Sequence, residues 1–152
     1  MAVNLAELIK KGGVYSDVEG SSPEEIYKKL TGMLSLPDGV SADSVYKALC
    51  DREKVMSTAV GNGIALPHAR IPLMKDGTEQ RVCVLYLKNP IDMSAPDELK
   101  VSFMFVILSA NPQAHLQVLS SLVSLFQNKE FKALLDKHAG EAELLSAIEK
   151  LA

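Results

Sequence analysis

The chain has 152 residues, 47% of them hydrophobic and 23% charged, with a net charge of −3 and a pI near 5.6. This length suits one domain with one core, which we expect to span residues 1–152. The weakly acidic balance argues against a protein that binds nucleic acid or anionic membranes. The longest apolar run, at residues 101–110, is too short for a bilayer and the first residues lack a signal-peptide core, so we expect a cytoplasmic protein without direct membrane insertion.

The first third of the chain predicts three helices and one short strand. A short helix stops at Gly12-Gly13, and residues 14–16 suit a strand. Ser22-Pro23 predicts the start of a second helix, with the serine as its cap and the proline in its first position. Ser41 can cap a third helix in the same way.

The third helix carries an arginine on its predicted buried face. Val45 and Leu49 form the apolar stripe, and Arg52 follows at helical spacing. An arginine on such a face needs an anion or several acceptors. The alternative is a side chain that extends to solvent and forms a salt bridge. The motif that follows favours the first interpretation, in which Arg52 holds a phosphoryl group.

Residues 57–68 read Ser-Thr-Ala-Val-Gly-Asn-Gly-Ile-Ala-Leu-Pro-His. Gly61 and Gly63 allow a turn and a close approach of the backbone to another group. Pro67 fixes its own φ and favours an extended residue before it, so His68 lies on a stiff backbone. A neutral imidazole held in this way suits nucleophilic chemistry near pH 7.

Beyond this motif the pattern predicts two strands separated by loops. A loop over 69–80 leads to a strand at 81–87, and a loop over 89–100 leads to a strand at 101–108. Because the last strand is apolar on both faces, we expect it at the centre of the sheet with helices on each side.

Three helices complete the chain. Asn111 can cap the first, Asn128 can cap the second, and Gly140 precedes the last. Since strands and helices do not alternate strictly, we expect a single α/β (α+β) domain. Its sheet should mix parallel and antiparallel pairs.

The three histidines differ in their surroundings. His138 lies near a helix end with no site around it, and we expect a terminal or solvated side chain. His115 falls near a helix start, where free N–H groups attract anions and the local potential favours a neutral ring. Taken alone, His115 could instead be a partly buried structural residue. His68 is the candidate nucleophile.

Together these residues resemble the active-site signature of a known family. Arg52-Glu53, Ser57-Thr58 and the run from Gly61 to His68 match the enzyme IIA (EIIA) domains of the phosphotransferase system (PTS), mannitol/fructose type, which include nitrogen-regulatory members. His115 follows at a fitting distance. The resemblance implies about five strands with helices on both faces. It also implies a phosphohistidine at His68, on Nε2, assisted by His115 and Arg52.

The resemblance further implies the partners of a phosphotransferase relay. Phosphate comes from the phosphohistidine of the small carrier HPr, or of its nitrogen-branch counterpart. In sugar uptake it passes to a cysteine of an enzyme IIB (EIIB), whereas in the nitrogen-regulatory branch the phosphorylation state controls a target protein. The residues around His68 and His115 look closer to the regulatory branch, and sugar uptake is the alternative.

Phosphoryl transfer requires positioning and charge neutralisation more than covalent help from the protein. Arg52 can offer paired N–H donors to the phosphoryl oxygens. Ser57 and Thr58 could orient the nucleophile or bind phosphate, or they could be hydroxyls that cap a strand. Gly61 and Gly63 are further candidates for supporting the phosphate.

We expect no cofactor and no metal. A metal-binding protein that uses His68 and His115 is a weaker hypothesis, because the sequence offers no third ligand. Docking to carriers predicts an exposed apolar patch near the nucleophile. Its candidates, which could equally belong to the core, are Ile64, Leu66, Ile71 and Leu73.

Overall fold

The computed structural model describes residues 4–69, 73–74 and 80–151, and within them the chain forms six helices and one five-stranded sheet. The elements in chain order are α1 (Leu5–Gly12), β1 (Val14–Val18), α2 (Pro23–Met33), α3 (Ala42–Val55), β2 (Ala59–Gly61), β3 (Ile64–Ala65), β4 (Arg81–Ile91), β5 (Val101–Leu108), α4 (Pro112–Phe126), α5 (Lys129–Asp136) and α6 (Glu141–Leu151). None of the described helices has the length and apolar character needed to cross a membrane.

The sheet has the order β1-β4-β5-β3-β2, with β5 in the middle. β1 pairs with β4, and β3 with β5, in parallel. β4 pairs with β5, and β2 with β3, in antiparallel orientation. This arrangement confirms the predicted mixed sheet and the central position of the apolar strand.

Helices cover both faces of the sheet, as predicted. One face packs against α2 and α3, with Met104 and Val106 of β5 in that core. The other face packs against α1, α4, α5 and α6, with Phe105 and Ile107 of β5 in that core. Successive residues of β5 therefore serve opposite layers, which requires apolar side chains on both faces, and residues 103–108 are all apolar and buried. Full burial of each such side chain contributes about 1.5–3 kcal/mol.

Side-chain caps begin the helices where the sequence predicts them. Each cap accepts the backbone N–H three residues further on, and the four predicted caps that do so are Ser22, Ser41, Asn111 and Asn128. Loss of one such cap costs about 1 kcal/mol. The Asn111 cap matters for the site, because it starts α4 three residues after β5 ends and so places the first turns of α4 beside the end of that strand.

One loop boundary was predicted too early. β4 continues to Ile91, although the sequence predicts a loop from residue 89 and Pro90 is unsuited to a regular strand. The register explains this exception, since Tyr86 pairs with Phe103 and the next partners are Ile91 and Val101. The ladder is irregular between them, so the missing N–H of proline costs no regular pairing. The turn signals predicted at 72 and 76–77 lie outside the described residues.

Candidate active site

His68 lies at the end of an extended segment that runs along β5. Ile64 of β3 pairs in parallel with Phe103, and His68 forms a parallel bridge with Ile107. The carbonyl of Pro67 accepts the Ile107 N–H at 2.9 Å. Because proline restricts this backbone and β5 binds it along one side, the imidazole has a rigid support.

A backbone carbonyl orients the ring of His68. Nδ1 lies 2.7 Å from the carbonyl oxygen of Leu66. Since a carbonyl oxygen only accepts hydrogen bonds, Nδ1 carries the proton of the neutral ring and Nε2 keeps a free lone pair. Burial lowers the pKa of His68 below its usual value, and the positive charge of Arg52 lowers it further, while the Leu66 bond opposes both. The neutral, nucleophilic form is therefore favoured at pH 7.

The second predicted histidine lies against the first. The ring centroids of His68 and His115 are 4.8 Å apart, with the ring planes at 50°. Nδ1 of His115 lies 3.4 Å from the hydroxyl of Ser109. The backbone N–H of His115 already donates to Asn111 at 3.1 Å, so this residue offers its side chain and not a free helix N–H. Burial lowers the pKa of His115, and the charges of His68 and Arg52 lower it further.

Arg52 comes from the last turn of α3. Its Nη1 donates to the carbonyl of Met56 at 2.6 Å, which holds the guanidinium at the C-terminal end of the helix. Arg52 follows the predicted face but is only half-buried, whereas Val45, Leu49 and Cys50 of the same helix are buried. Arg52 lies seven positions after Val45, about 20° away around the helix, but it belongs to the last turn, where it is only half-buried. Its charge still acts on both imidazoles.

The hydroxyls of Ser57 and Thr58 are both engaged with protein groups. Ser57 donates to the carbonyl of Met93 and accepts the N–H of Ala59 at 3.1 Å. Thr58 donates to the carboxylate of Glu53 at 2.7 Å. These bonds fit the strand-capping alternative, and a phosphate-binding role for either hydroxyl stays a prediction.

The two glycines of the motif form the turn between β2 and β3. Gly61, Asn62 and Gly63 all have positive φ, at 100°, 56° and 78°. Asp97 accepts the N–H of Asn62 at 2.8 Å, which fixes the turn from outside. Five residues of extended chain, roughly 16 Å, separate Gly63 from His68. The structure therefore does not bring the predicted phosphate-supporting glycines to the histidine pair.

Comparison with known proteins identifies the family. Residues 7–151 match the model of the family described as "Phosphoenolpyruvate-dependent sugar phosphotransferase system, EIIA 2". The chain belongs to this EIIA family. A nitrogen regulatory protein of Pseudomonas aeruginosa is 29% identical to this EIIA domain over 151 residues, which covers 96% of this chain and 94% of that protein.

Two further proteins are similar to this EIIA domain, one in structure and one in sequence. The crystal structure of nitrogen regulatory protein IIA-Ntr from Neisseria meningitidis has a TM-score of 0.81 and 27% identity, covering 94% of this chain and 97% of that chain. A mannitol-specific phosphotransferase enzyme IIA component of Staphylococcus aureus is 25% identical over 126 residues, covering 83% of this chain and 84% of that protein. The predicted family and fold are confirmed, and the similar proteins include both regulatory and sugar-specific members.

The apolar surface near the active site differs from the predicted one. Ile64 and Leu66 are only 1% and 3% exposed, so of the two alternatives the core is correct for both and neither contributes to an exposed patch. They lie beside β5 and face the core formed with α1 and α4–α6. Leu73 is half-buried, and Ile71 lies outside the described residues.

Other apolar side chains are exposed next to the site residues of this EIIA domain. Leu116 is 65% exposed and follows His115 directly, while Met56 is 70% exposed and its carbonyl binds Arg52. Sequence analysis missed both, since a single leucine or methionine on a polar helix face or after a helix carries no signal of its own. It also assigned no role to Glu53, whose contacts only the tertiary structure brings together.

The described residues contain no group of three His, Cys, Asp or Glu side chains that could hold a metal ion. His138 does not join the pair formed by the other two histidines. Its ring stacks on Tyr86 at 4.6 Å, and Tyr86 pairs with Phe103 towards the opposite end of β5 from His68.

Proposed function

We propose that this EIIA domain is a cytoplasmic phosphoryl carrier that accepts phosphate on Nε2 of His68 from the phosphohistidine of HPr or of a nitrogen-branch HPr-like carrier. The observation that carries the proposal is the 2.7 Å contact between Nδ1 and the Leu66 carbonyl. It leaves Nε2 as the nitrogen with a free lone pair, on a ring whose pKa is lowered by burial.

The transfer follows from this tautomer. The Nε2 lone pair of His68 attacks phosphorus, the bond between phosphorus and the donor nitrogen breaks, and the donor histidine keeps the electron pair. Attack leaves positive charge on the ring of His68, because Nδ1 still carries its proton. The carbonyl of Leu66 stabilises that charge through the same hydrogen bond. A protonated ring is also a good leaving group for the onward transfer.

The site must stabilise the negative charge that arrives with the phosphoryl group. A phosphoryl group carries about −1.5 to −2 charges at pH 7. Arg52 is held at the end of α3, and its charge already acts on both imidazoles. His115 lies 4.8 Å from His68 between ring centroids, within reach of a hydrogen bond to a phosphoryl oxygen. We assign both residues to binding the equatorial oxygens.

The regulatory role is the preferred use of the phosphoryl group. The nitrogen regulatory proteins match this chain at 29% and 27% identity over nearly its whole length, which favours control of a target protein by phosphorylation state. Transfer to a cysteine of an EIIB in sugar uptake is the second candidate, favoured by the similarity to a mannitol-specific enzyme IIA component. In both roles the exposed Leu116 and Met56 would contact the carrier.

The test is phosphorylation by enzyme I and phosphoenolpyruvate, with HPr and the nitrogen-branch carrier supplied in turn. Intact mass and site mapping should find one acid-labile phosphate on His68. An EIIB domain is then added, and retention of the phosphate would favour the regulatory role. A folded protein that takes no phosphate from either carrier, or takes it on another residue, would overturn the proposal.

A further inference from the structure

Glu53 holds three hydrogen bonds that link separate elements of the fold. One carboxylate oxygen accepts the Tyr27 hydroxyl at 2.6 Å and the Thr58 hydroxyl at 2.7 Å. The other oxygen accepts the backbone N–H of Thr58 at 2.8 Å. Tyr27 is fully buried and Thr58 is 5% exposed, so these bonds compete little with water. Glu53 therefore connects α2 and α3 to the residue that precedes β2.

A continuous series of hydrogen bonds leads from Glu53 to the nucleophile. Glu53 binds the N–H of Thr58, and the carbonyl of Thr58 accepts the N–H of Leu66 at 3.0 Å. The carbonyl of Leu66 in turn accepts Nδ1–H of His68 at 2.7 Å. The N–H and the C=O of one residue lie on the two sides of its Cα, so each bond anchors the residue whose carbonyl makes the next bond. The orientation of the Leu66 carbonyl, which selects the tautomer of His68, thus depends on a carboxylate in another element.

We propose that Glu53 is a positioning residue that holds His68 in its Nδ1–H tautomer by fixing the backbone at Thr58 and, through it, at Leu66. Its consequence for catalysis rests on the proposed function, whereas its effect on the tautomer does not. Glu53 also follows Arg52 directly, so the same carboxylate helps to fix the end of α3 that carries the arginine.

The charges around the pair support this role. Burial and the adjacent Glu53 carboxylate raise the pKa of Tyr27, so the phenol stays protonated and remains a donor to the carboxylate. The negative charge of Glu53 raises the pKa of His68, whereas the charge of Arg52 lowers it. Glu53 therefore partly balances the arginine that the phosphoryl group requires.

The test compares Glu53→Gln with the matched variant Asp97→Asn. Glutamine has one acceptor oxygen instead of two and carries no charge, so it cannot accept the Thr58 N–H and both hydroxyls at the same time. Asp97 makes the same kind of contact with the Asn62 N–H, but at the turn of the β2–β3 hairpin. Asp97→Asn thus loosens the hairpin without touching the route to His68.

Two readouts separate positioning from stability. The 15N shifts of labelled histidine report the tautomer of His68 in the unphosphorylated protein. Phosphorylation rates against carrier concentration, compared at equal folded fraction, report kcat and KM. For Glu53→Gln we expect a loss of the single Nδ1–H tautomer and a kcat about tenfold lower. KM should be unchanged, because the Glu53 carboxylate binds Tyr27 and Thr58 and not the exposed Leu116 or Met56. Asp97→Asn should match the wild type in both readouts.

The outcomes are distinguishable. A wild-type protein that takes no phosphate overturns the proposed function, while its tautomer still tests the positioning role. A phosphorylated wild type together with an unchanged tautomer and kcat in Glu53→Gln overturns the positioning role. If Glu53→Gln does not fold, Tyr27→Phe keeps the ring and removes one donor. Tyr27→Phe should shift the tautomer of His68 and lower kcat in the same direction as Glu53→Gln, but by less. A wild-type tautomer and a wild-type kcat in Tyr27→Phe would contradict the inference.

Discussion

The two ends of the β2–β3 hairpin use one continuous motif for different purposes. At the open end, Thr58, Leu66 and His68 form the hydrogen bonds that orient an imidazole beside His115. At the closed end, Gly61 and Gly63 adopt positive φ values and the Asp97 carboxylate fixes the turn. The motif is contiguous in sequence, yet only one end of it reaches the histidine pair.

The difference shows that a motif residue can be required for reasons of shape alone. Left-handed backbone is costly for most residues but not for glycine, so the turn selects glycine without any ligand. At the open end, residues are instead required for the hydrogen bonds they make and for their charge. Substitutions at the two ends should therefore affect different observables.

The largest expected effect comes from His68→Ala, which should abolish phosphorylation because Nε2 is removed. His115→Ala should still accept phosphate but pass it on slowly, since it leaves the nucleophile and removes a contact to the phosphoryl oxygens. Intact mass measures the first step and a chase with the acceptor protein the second. Acid-labile phosphate on His68→Ala would end the assignment of the nucleophile, and normal onward transfer by His115→Ala would make His115 structural.

Arg52→Lys should slow phosphorylation about tenfold, because lysine keeps the charge but loses the fork of donors. The bond to the Met56 carbonyl should also weaken, since it uses Nη1. Quenched-flow phosphorylation measures the rate, and Lys54→Arg at the exposed end of the same helix is the control. Equal phosphorylation rates for wild type and Arg52→Lys would favour the alternative, in which Arg52 is a surface residue without a role in holding the phosphoryl group.

Gly61→Ala should lower the free energy of unfolding by about 1–3 kcal/mol, because alanine disfavours the φ of 100° at this position. The added Cβ would also lie 3.2 Å from the Asp97 carboxylate. Phosphorylation of the folded fraction should be unchanged. Urea denaturation gives the stability, and the matched variant Gly32→Ala in α2 meets no heavy atom within 4 Å and should stabilise by about 0.5–1 kcal/mol. A phosphorylation defect in folded Gly61→Ala would place the turn in the active site after all.

The smallest expected effect is a pH dependence of stability at the open end. The pKa values of His68 and His115 are lowered by burial, so the unfolded chain binds more protons between their usual value near 6.5 and their lower folded values. Stability should therefore fall as pH drops through that window. His115→Gln should show a shallower loss between pH 7 and 5 in urea denaturation, and an unchanged slope would contradict the prediction. The lowered pKa values of Glu19, Glu25 and Asp97 act only at more acidic pH.

Local signals account for what was predicted correctly about the fold. The capping residues and prolines mark helix starts through contacts within three or four residues, and such contacts are readable from sequence. The apolar run of β5 indicates burial on both faces, which requires a central strand. The end of β4 was missed because the tolerance of Pro90 depends on an irregular register with another strand.

The features of the candidate site can likewise be separated into those that depend on local sequence and those that depend on the tertiary structure. The sequence alone determined the family resemblance, the choice of His68 and His115, and the stiff backbone before His68, since residue identity and proline chemistry are local properties. Only the tertiary structure decided the tautomer of His68, the partial burial of Arg52, the burial of Ile64 and Leu66, and the contacts of Glu53. Each of these depends on which distant group lies within hydrogen-bonding or packing distance, and the folded arrangement of the layers sets that distance.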